Sequence, residues 1–235
     1  TNILLDNGGT LDKYIGDAII AIFGSPIEVQ DHEYRGTLSI CKMNDKLEEL
    51  REKWKSEGDK WPEVVHNMRH RIGLNTGQIV AGNMGSSVRM SYTMMGDAVN
   101  TTARLESGAK QYGIESQVGE KIYEATKDQF IYRHLDHVRV KGKKNPVKTF
   151  ELISEKGKEP NTYKKLLPLW DKAIILYKEQ KWDEAISLFE DCDKLEEKYI
   201  GRPTNPSLFF IARCNEFKAD PPGNDWDGIY TLKSK

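Results

Sequence analysis

Residues 10–23, TLDKYIGDAIIAIF, place β-prone side chains on either side of Ile15-Gly16-Asp17, the pattern of a hairpin with a tight polar corner. Ile40, Met43, Leu47, Leu50 and Trp54 then recur at steps of three and four, which predicts a long helix ending near Gly58. His70 to Ala81 reads as two strands around Thr76-Gly77, with Gly82 and Gly85 closing the second, and Val88 to Met95 reads as another. Asp97 stands where a cap is needed for a helix from Ala98 to about Gln111, stopped by Gly113. A short strand at Glu115 to Val118, a short helix from about Gly119, and a strand pair at Tyr132 to Val140 and Val147 to Ile153 complete the alternation. At the start, Ile3-Leu4-Leu5 followed by Asp6-Asn7-Gly8-Gly9 reads as the end of a helix.

Strand patterning stops at residues 154–162, SEKGKEPNT, a polar stretch that reads as a linker. It divides the chain into a main domain over 1–153 and a helical extension over 163–235. In the extension, Leu166, Leu169, Trp170, Ala173, Leu176 and Tyr177 form one apolar stripe, and Trp182, Ala185, Leu188, Phe189, Cys192 and Leu195 form a second. The pair predicts an antiparallel helical hairpin that resembles one tetratricopeptide unit. A single repeat cannot bury its own faces, so the hairpin is expected to dock on the main domain, with Pro206 to Lys218 and Trp226 to Tyr230 in the same layer.

Charge removes one class of function. The 35 Lys and Arg balance 36 Asp and Glu, and they are interleaved from end to end, so no nucleic-acid footprint is present. Hydrophobic residues at 38% and a mean hydropathy of −0.64 describe a soluble globular chain, and the apolar run from Ala18 to Phe23 is far too short to span a bilayer. Three cysteines, Cys41, Cys192 and Cys214, lack any CxxC spacing and read as reduced thiols of a cytoplasmic protein. The five histidines show no metal spacing.

Chemistry concentrates in three blocks: Lys13-Tyr14-Ile15-Gly16-Asp17, Thr93 to Asn100, and Val140-Lys141-Gly142-Lys143. Asn100 and Arg104, four apart, share one helix face, so an amide and a guanidinium can be aimed together. The segments LDKYIGDAIIAIFG, RIGLNTGQIVAGNMGS, YTMMGDAVNTTARLES and VKGK resemble, in order and spacing, the class III nucleotidyl cyclase catalytic domains, over about Thr10 to Ile153. The resemblance implies an α+β, ferredoxin-like mixed sheet with helices over one face, and protomers paired head to tail around ATP.

It also implies roles. Asp17 matches the second of two aspartates that hold divalent metals, Mg²⁺ or Mn²⁺, two ions per site. Lys13 and Thr93 match the pair that reads the purine. Lys donates to adenine N1 and a Thr hydroxyl accepts from the N6 amine, whereas guanylate-forming relatives use Glu and Cys, so the pair favours ATP. Asn100 matches the residue that orients the ribose, Arg104 the one that meets charge on the α-phosphoryl group, and Lys141 the lysine on the terminal phosphates, with Lys143 close by. The family's first metal aspartate, on an opening strand, has no counterpart in this text, so a protein limited to Thr1–Lys235 is expected to turn over ATP negligibly. The implied enzyme is a homodimeric adenylate cyclase forming 3′,5′-cyclic AMP. Guanylate cyclase and a catalytically incomplete regulatory module are the alternatives.

Overall fold

The computed structural model describes residues 1–139 and 146–231. After a short helix α1 (Asn2–Asp6), the β-prone segment forms an antiparallel hairpin of β1 (Gly9–Ile15) and β2 (Ala18–Phe23), turning at Gly16 with φ +61°. A 25-residue helix α2 (His32–Ser56) follows and buries the face bearing Ile40, Cys41 and Leu47. A Cβ on Gly36 would stand 3.2 Å from Leu74 and 3.6 Å from Phe23, so α2 lies across both the hairpin and the strand that comes next.

After the one-turn helix α3 (Glu63–His66) comes β3 (Ile72–Leu74), then β4 (Val80–Gly85) and β5 (Met90–Met95). The strands expected around Thr76-Gly77 do not pair with each other. β4 and β5 make their own antiparallel ribbon, and β3 runs parallel to a later strand. Residues 75–79 form no hairpin turn, because they pack on the start of the next helix: Asn75 Nδ2 donates to the Ala98 carbonyl, and a Cβ on Gly77 would meet Ala98 at 3.1 Å.

That helix, α4 (Asp97–Tyr112), stops as expected at Gly113, whose φ of +65° suits glycine. Its cap is Gly96 rather than Asp97. Gly96 has φ +150°, and a Cβ there would crowd the Gln78 carbonyl at 3.3 Å, so the helix starts one residue earlier than predicted.

Next come β6 (Ser116–Gly119), α5 (Glu120–Thr126), and the antiparallel pair β7 (Phe130–Arg139) and β8 (Val147–Glu155). Three helices follow, α6 (Asn161–Lys178), α7 (Trp182–Asp193) and α8 (Pro206–Ala219), and the chain returns to the sheet as β9 (Tyr230–Thr231). The main sheet is mixed, in the order β3-β6-β8-β7-β9. Among the described residues no ladder joins it to the hairpin or to the ribbon.

Helices cover both faces of the sheet, not one. Val118, Phe130, Phe150 and Leu152 pack on α2 and α5. Leu135, with Ala109, Tyr112 and Ile114, shares a second core with Leu166, Trp170, Phe189 and Phe210 of the helical layer. The reason lies in β8, where Thr149, Phe150, Glu151 and Leu152 point to alternate sides and are all buried. A bulge lets Leu135 and Asp136 both turn toward the helical layer. The extension therefore shares its core with α4 and the sheet. Trp170 Nε1 donates to the His134 carbonyl at 2.6 Å. Arg133, wholly buried, bonds Glu151 of β8 and Glu196 beyond α7, and Arg213 of α8 bonds Asp136. Glu151 and Glu196 outweigh the burial that would discharge Arg133 and hold its guanidinium charged. Burial and the Asp136 carboxylate push the Tyr112 hydroxyl well above its ordinary range, so it remains a donor to Asp136.

Candidate functional site

Three elements meet at the open side of the molecule: the β1–β2 hairpin, the β4–β5 ribbon and the first turns of α4. The hairpin is held to the ribbon by two side-chain bonds that cross long stretches of sequence. Ser25 Oγ and Tyr92 Oη lie 2.6 Å apart, and Thr93 Oγ1 donates to Asp12 Oδ2 at 2.9 Å.

The second bond decides where the expected purine pair lies. Lys13 and Thr93 come together at one carboxylate, because Asp12 also faces the Lys13 ammonium, 3.6 Å from its Oδ1. Neighbouring strand residues normally point to opposite faces. The ladder, however, pairs Leu11 with Ala21 and then Lys13 with Ile20, leaving Asp12 as an extra, bulged residue whose side chain is turned under β5 and only 3% exposed. Lys13 is 46% exposed, so its ammonium is open to a ligand while its base is anchored. Asp12 was not foreseen from the sequence. The available signal was a charged residue beside another charge within a strand pattern.

Asp17 sits at the hairpin tip, exposed and without a hydrogen bond or ion pair to other described residues. Asn100 and Arg104 are exposed on α4, four residues apart, and likewise uncommitted to described partners. What fixes them is the helix beneath. A Cβ on Gly73 would stand 2.4 Å from the Thr102 carbonyl and 2.6 Å from the Glu106 nitrogen, so α4 lies directly on the backbone of β3. At its far end Tyr112 is tied to Asp136. Lys141, and Lys143 beside it, lie outside the described residues.

The side chains have definite chemistry: one exposed carboxylate, two exposed cations of different shape, an amide, and a hydroxyl bonded to a buried carboxylate, and of these the described contacts bring together Lys13 and Thr93, at Asp12. Among the described residues no three His, Cys, Asp or Glu side chains gather as a complete metal cage. A hard oxygen-seeking ion that takes most of its ligands from phosphate and water needs only a carboxylate such as Asp17 from this part of the protein, so the residues fit a partial site for Mg²⁺ or Mn²⁺. The three cysteines are free and buried, with thiols pushed by burial up to about 12, and they take no part. No described helix is long and apolar enough to cross a membrane.

Comparison with known proteins gives the same answer from sequence and from structure. Residues 9–154 match the family model described as the adenylate and guanylate cyclase catalytic domain. The terminal-differentiation specific adenylate cyclase of Dictyostelium discoideum is 31% identical over 216 residues, which cover 90% of this chain and therefore most of the helical layer, but 10% of that protein. Adenylate cyclase 1 of Rhizobium meliloti is 27% identical over 65% of this chain and 22% of its own length. The chain thus spans from a tenth to about a third of the curated relatives it matches. Among solved structures, the adenylyl cyclase CyaB from P. aeruginosa superposes with a TM-score of 0.55 at 28% identity, covering 68% of this chain and 79% of the other. The guanylyl cyclase Cya2 superposes with 0.54 at 28% identity, covering 67% and 76%.

Proposed function

Because the chain belongs to the adenylate and guanylate cyclase catalytic-domain family, we propose that it converts ATP to 3′,5′-cyclic AMP and pyrophosphate, as a homodimer using Mg²⁺ or Mn²⁺. The observation that carries the choice of base is the convergence of Lys13 and Thr93 on Asp12. An ammonium donor beside a hydroxyl acceptor matches the acceptor N1 and donor N6 of adenine, and opposes the donor N1 and acceptor O6 of guanine. Both adenylyl and guanylyl cyclases are among the structural relatives, so base choice rests on this pair.

In the reaction the ribose 3′-oxygen attacks the α-phosphorus, the bond to the β-phosphate oxygen breaks, pyrophosphate departs, and the 3′-hydroxyl proton passes to solvent. Asn100 orients the ribose. Arg104 offers a planar, permanently charged donor fork to the charge that builds on the α-phosphoryl oxygens. Asp17 would hold the divalent ions, which when bound neutralise the triphosphate and ease ionisation of the 3′-hydroxyl. Lys141 would meet the terminal phosphates. The homodimer is supported by the apolar side chains exposed on the hairpin and the ribbon, including Ile15, Ile19, Val80, Met90 and Met95.

The test is cyclic AMP formation from ATP with Mn²⁺, by this chain and by the chain with any sequence that precedes Thr1 in its gene restored. Turnover that Asp17→Ala abolishes supports the reading. A folded, dimeric protein that forms no cyclic nucleotide, or forms cyclic GMP faster from GTP, overturns it.

A further inference from the structure

A Thr hydroxyl carries one hydrogen and two lone pairs, so by itself it is no basis for discrimination: rotating about its C–O bond, it accepts from an amine or donates to a carbonyl with equal ease. Thr93 is not free to rotate in this way. Its hydrogen is engaged by Asp12 Oδ2 at 2.9 Å, and a carboxylate has only acceptor positions to offer. The carboxylate is also in no position to swing aside. It is 3% exposed, it belongs to the bulged residue of β1, and its other oxygen is buried without a hydrogen bond to the described residues, facing the Lys13 ammonium at 3.6 Å.

From this geometry we propose that Asp12 is the specificity-determining residue of the purine site. It turns the Thr93 hydroxyl into a fixed acceptor beside the Lys13 donor. The inference rests on the base-pocket reading of Lys13 and Thr93 and adds what that reading lacks, a reason for a hydroxyl to reject guanine. With the hydrogen held by Asp12, the Thr93 oxygen presents lone pairs to the base. Adenine answers with its N6–H, whereas guanine brings O6 lone pair to lone pair, with no hydrogen between the two oxygens. The short charged side chain at the fourth position of β1 thus reaches the base through Thr93. It is a positioning residue, not a catalytic one.

The experiment measures competition of ATP and GTP for the nucleotide site by equilibrium binding of a fluorescent ATP analogue with Mn²⁺, alongside cyclic nucleotide formation. Asp12→Asn keeps the shape but lets the side-chain amide donate to Thr93 Oγ1, which frees the Thr93 hydrogen to turn toward O6. The ATP:GTP preference should fall roughly tenfold, the scale of one hydrogen bond gained or lost at a buried edge, and mainly through a gain for GTP. In a Thr93→Val background the same substitution should change the preference no further, because Asp12 acts only through the hydroxyl. An unchanged preference in folded Asp12→Asn, or an equal loss with and without the Thr93 hydroxyl, overturns the inference. If Asp12→Asn does not fold, the unmodified protein still decides. A solvent-protected Thr93 hydroxyl proton, assigned by its disappearance in Thr93→Val, should be visible by NMR with and without ATP, and its absence counts against the inference. Failure of the underlying reading looks different: the unmodified protein then binds neither purine triphosphate.

Discussion

Arg133 and Arg104 carry the same guanidinium to opposite ends. Arg133 is wholly buried beneath the helical layer and bonded to Glu151 and Glu196, while Arg104 stands exposed on α4 with no described partner. The same contrast separates Arg213, buried against Asp136, from Lys13, nearly half exposed above Asp12. Arg133 and Arg213 are matched by buried carboxylates, whereas Arg104 has no described side-chain partner and Lys13 has one at 3.6 Å. A buried ion pair is weak evidence for stability, but breaking one is costly. An exposed, unpaired cation contributes little to folding and is available to a phosphate.

The widest separation should appear on removing Arg133. Arg133→Met leaves Glu151 and Glu196 buried without their cation, and urea unfolding should show a loss of about 3–5 kcal/mol. Arg104→Ala should behave in the opposite way. It should lower kcat by roughly a hundredfold, the scale of one preorganised charge donor, with little change in ATP affinity and a stability shift within about 0.5 kcal/mol. Equal stability losses in the two variants would dissolve the contrast.

A third, smaller effect probes the packed side through pH. Burial, with Lys178 adding to it, pulls His134 down to about 4 from its ordinary 6.5. The unfolded chain therefore binds the proton first. The stability this histidine contributes is full above about pH 6.5 and is lost as pH falls toward 4, amounting to at most about 3 kcal/mol. His134→Gln should flatten denaturation midpoints across that window, and an unchanged acid slope would assign the loss to other groups. The fourth effect belongs to the exposed side. Lys13→Glu with Thr93→Cys exchanges donor for acceptor at the base edge, and the ATP:GTP ratio should fall about tenfold for each altered bond. Stability should move far less than in Arg133→Met.

The exposed side was more legible in the sequence than the packed one. Gly16-Asp17 and Gly113 announced their turns through the backbone they require, and the i, i+4 spacing of Asn100 and Arg104 follows from helix geometry alone. Arg133 and Asp136 could not be read in this way, because a charged residue in a strand pattern signals a solvated face until a partner 63 or 77 residues away is known to cover it. Asp12 was hidden for a related reason. Only the bulge, a property of pairing with β2, turns its side chain inward. The turn expected at Thr76-Gly77 failed because Gly77 serves close packing against Ala98. β9 was missed because two residues carry no periodicity.

That last strand has a consequence for how the protein is made. Tyr230 and Thr231 lie parallel to Val138 and Arg139, so this end of the outer edge of β7 waits for about ninety further residues to be synthesised before it is covered. At ribosomal speeds of about 5–20 residues per second the edge is open for roughly 5–20 s. During that interval it is a template on which a neighbouring nascent chain can add a strand. The pace of translation over the helical layer, including any slow codons there, therefore sets how long each new molecule is exposed to pairing with another on the same message.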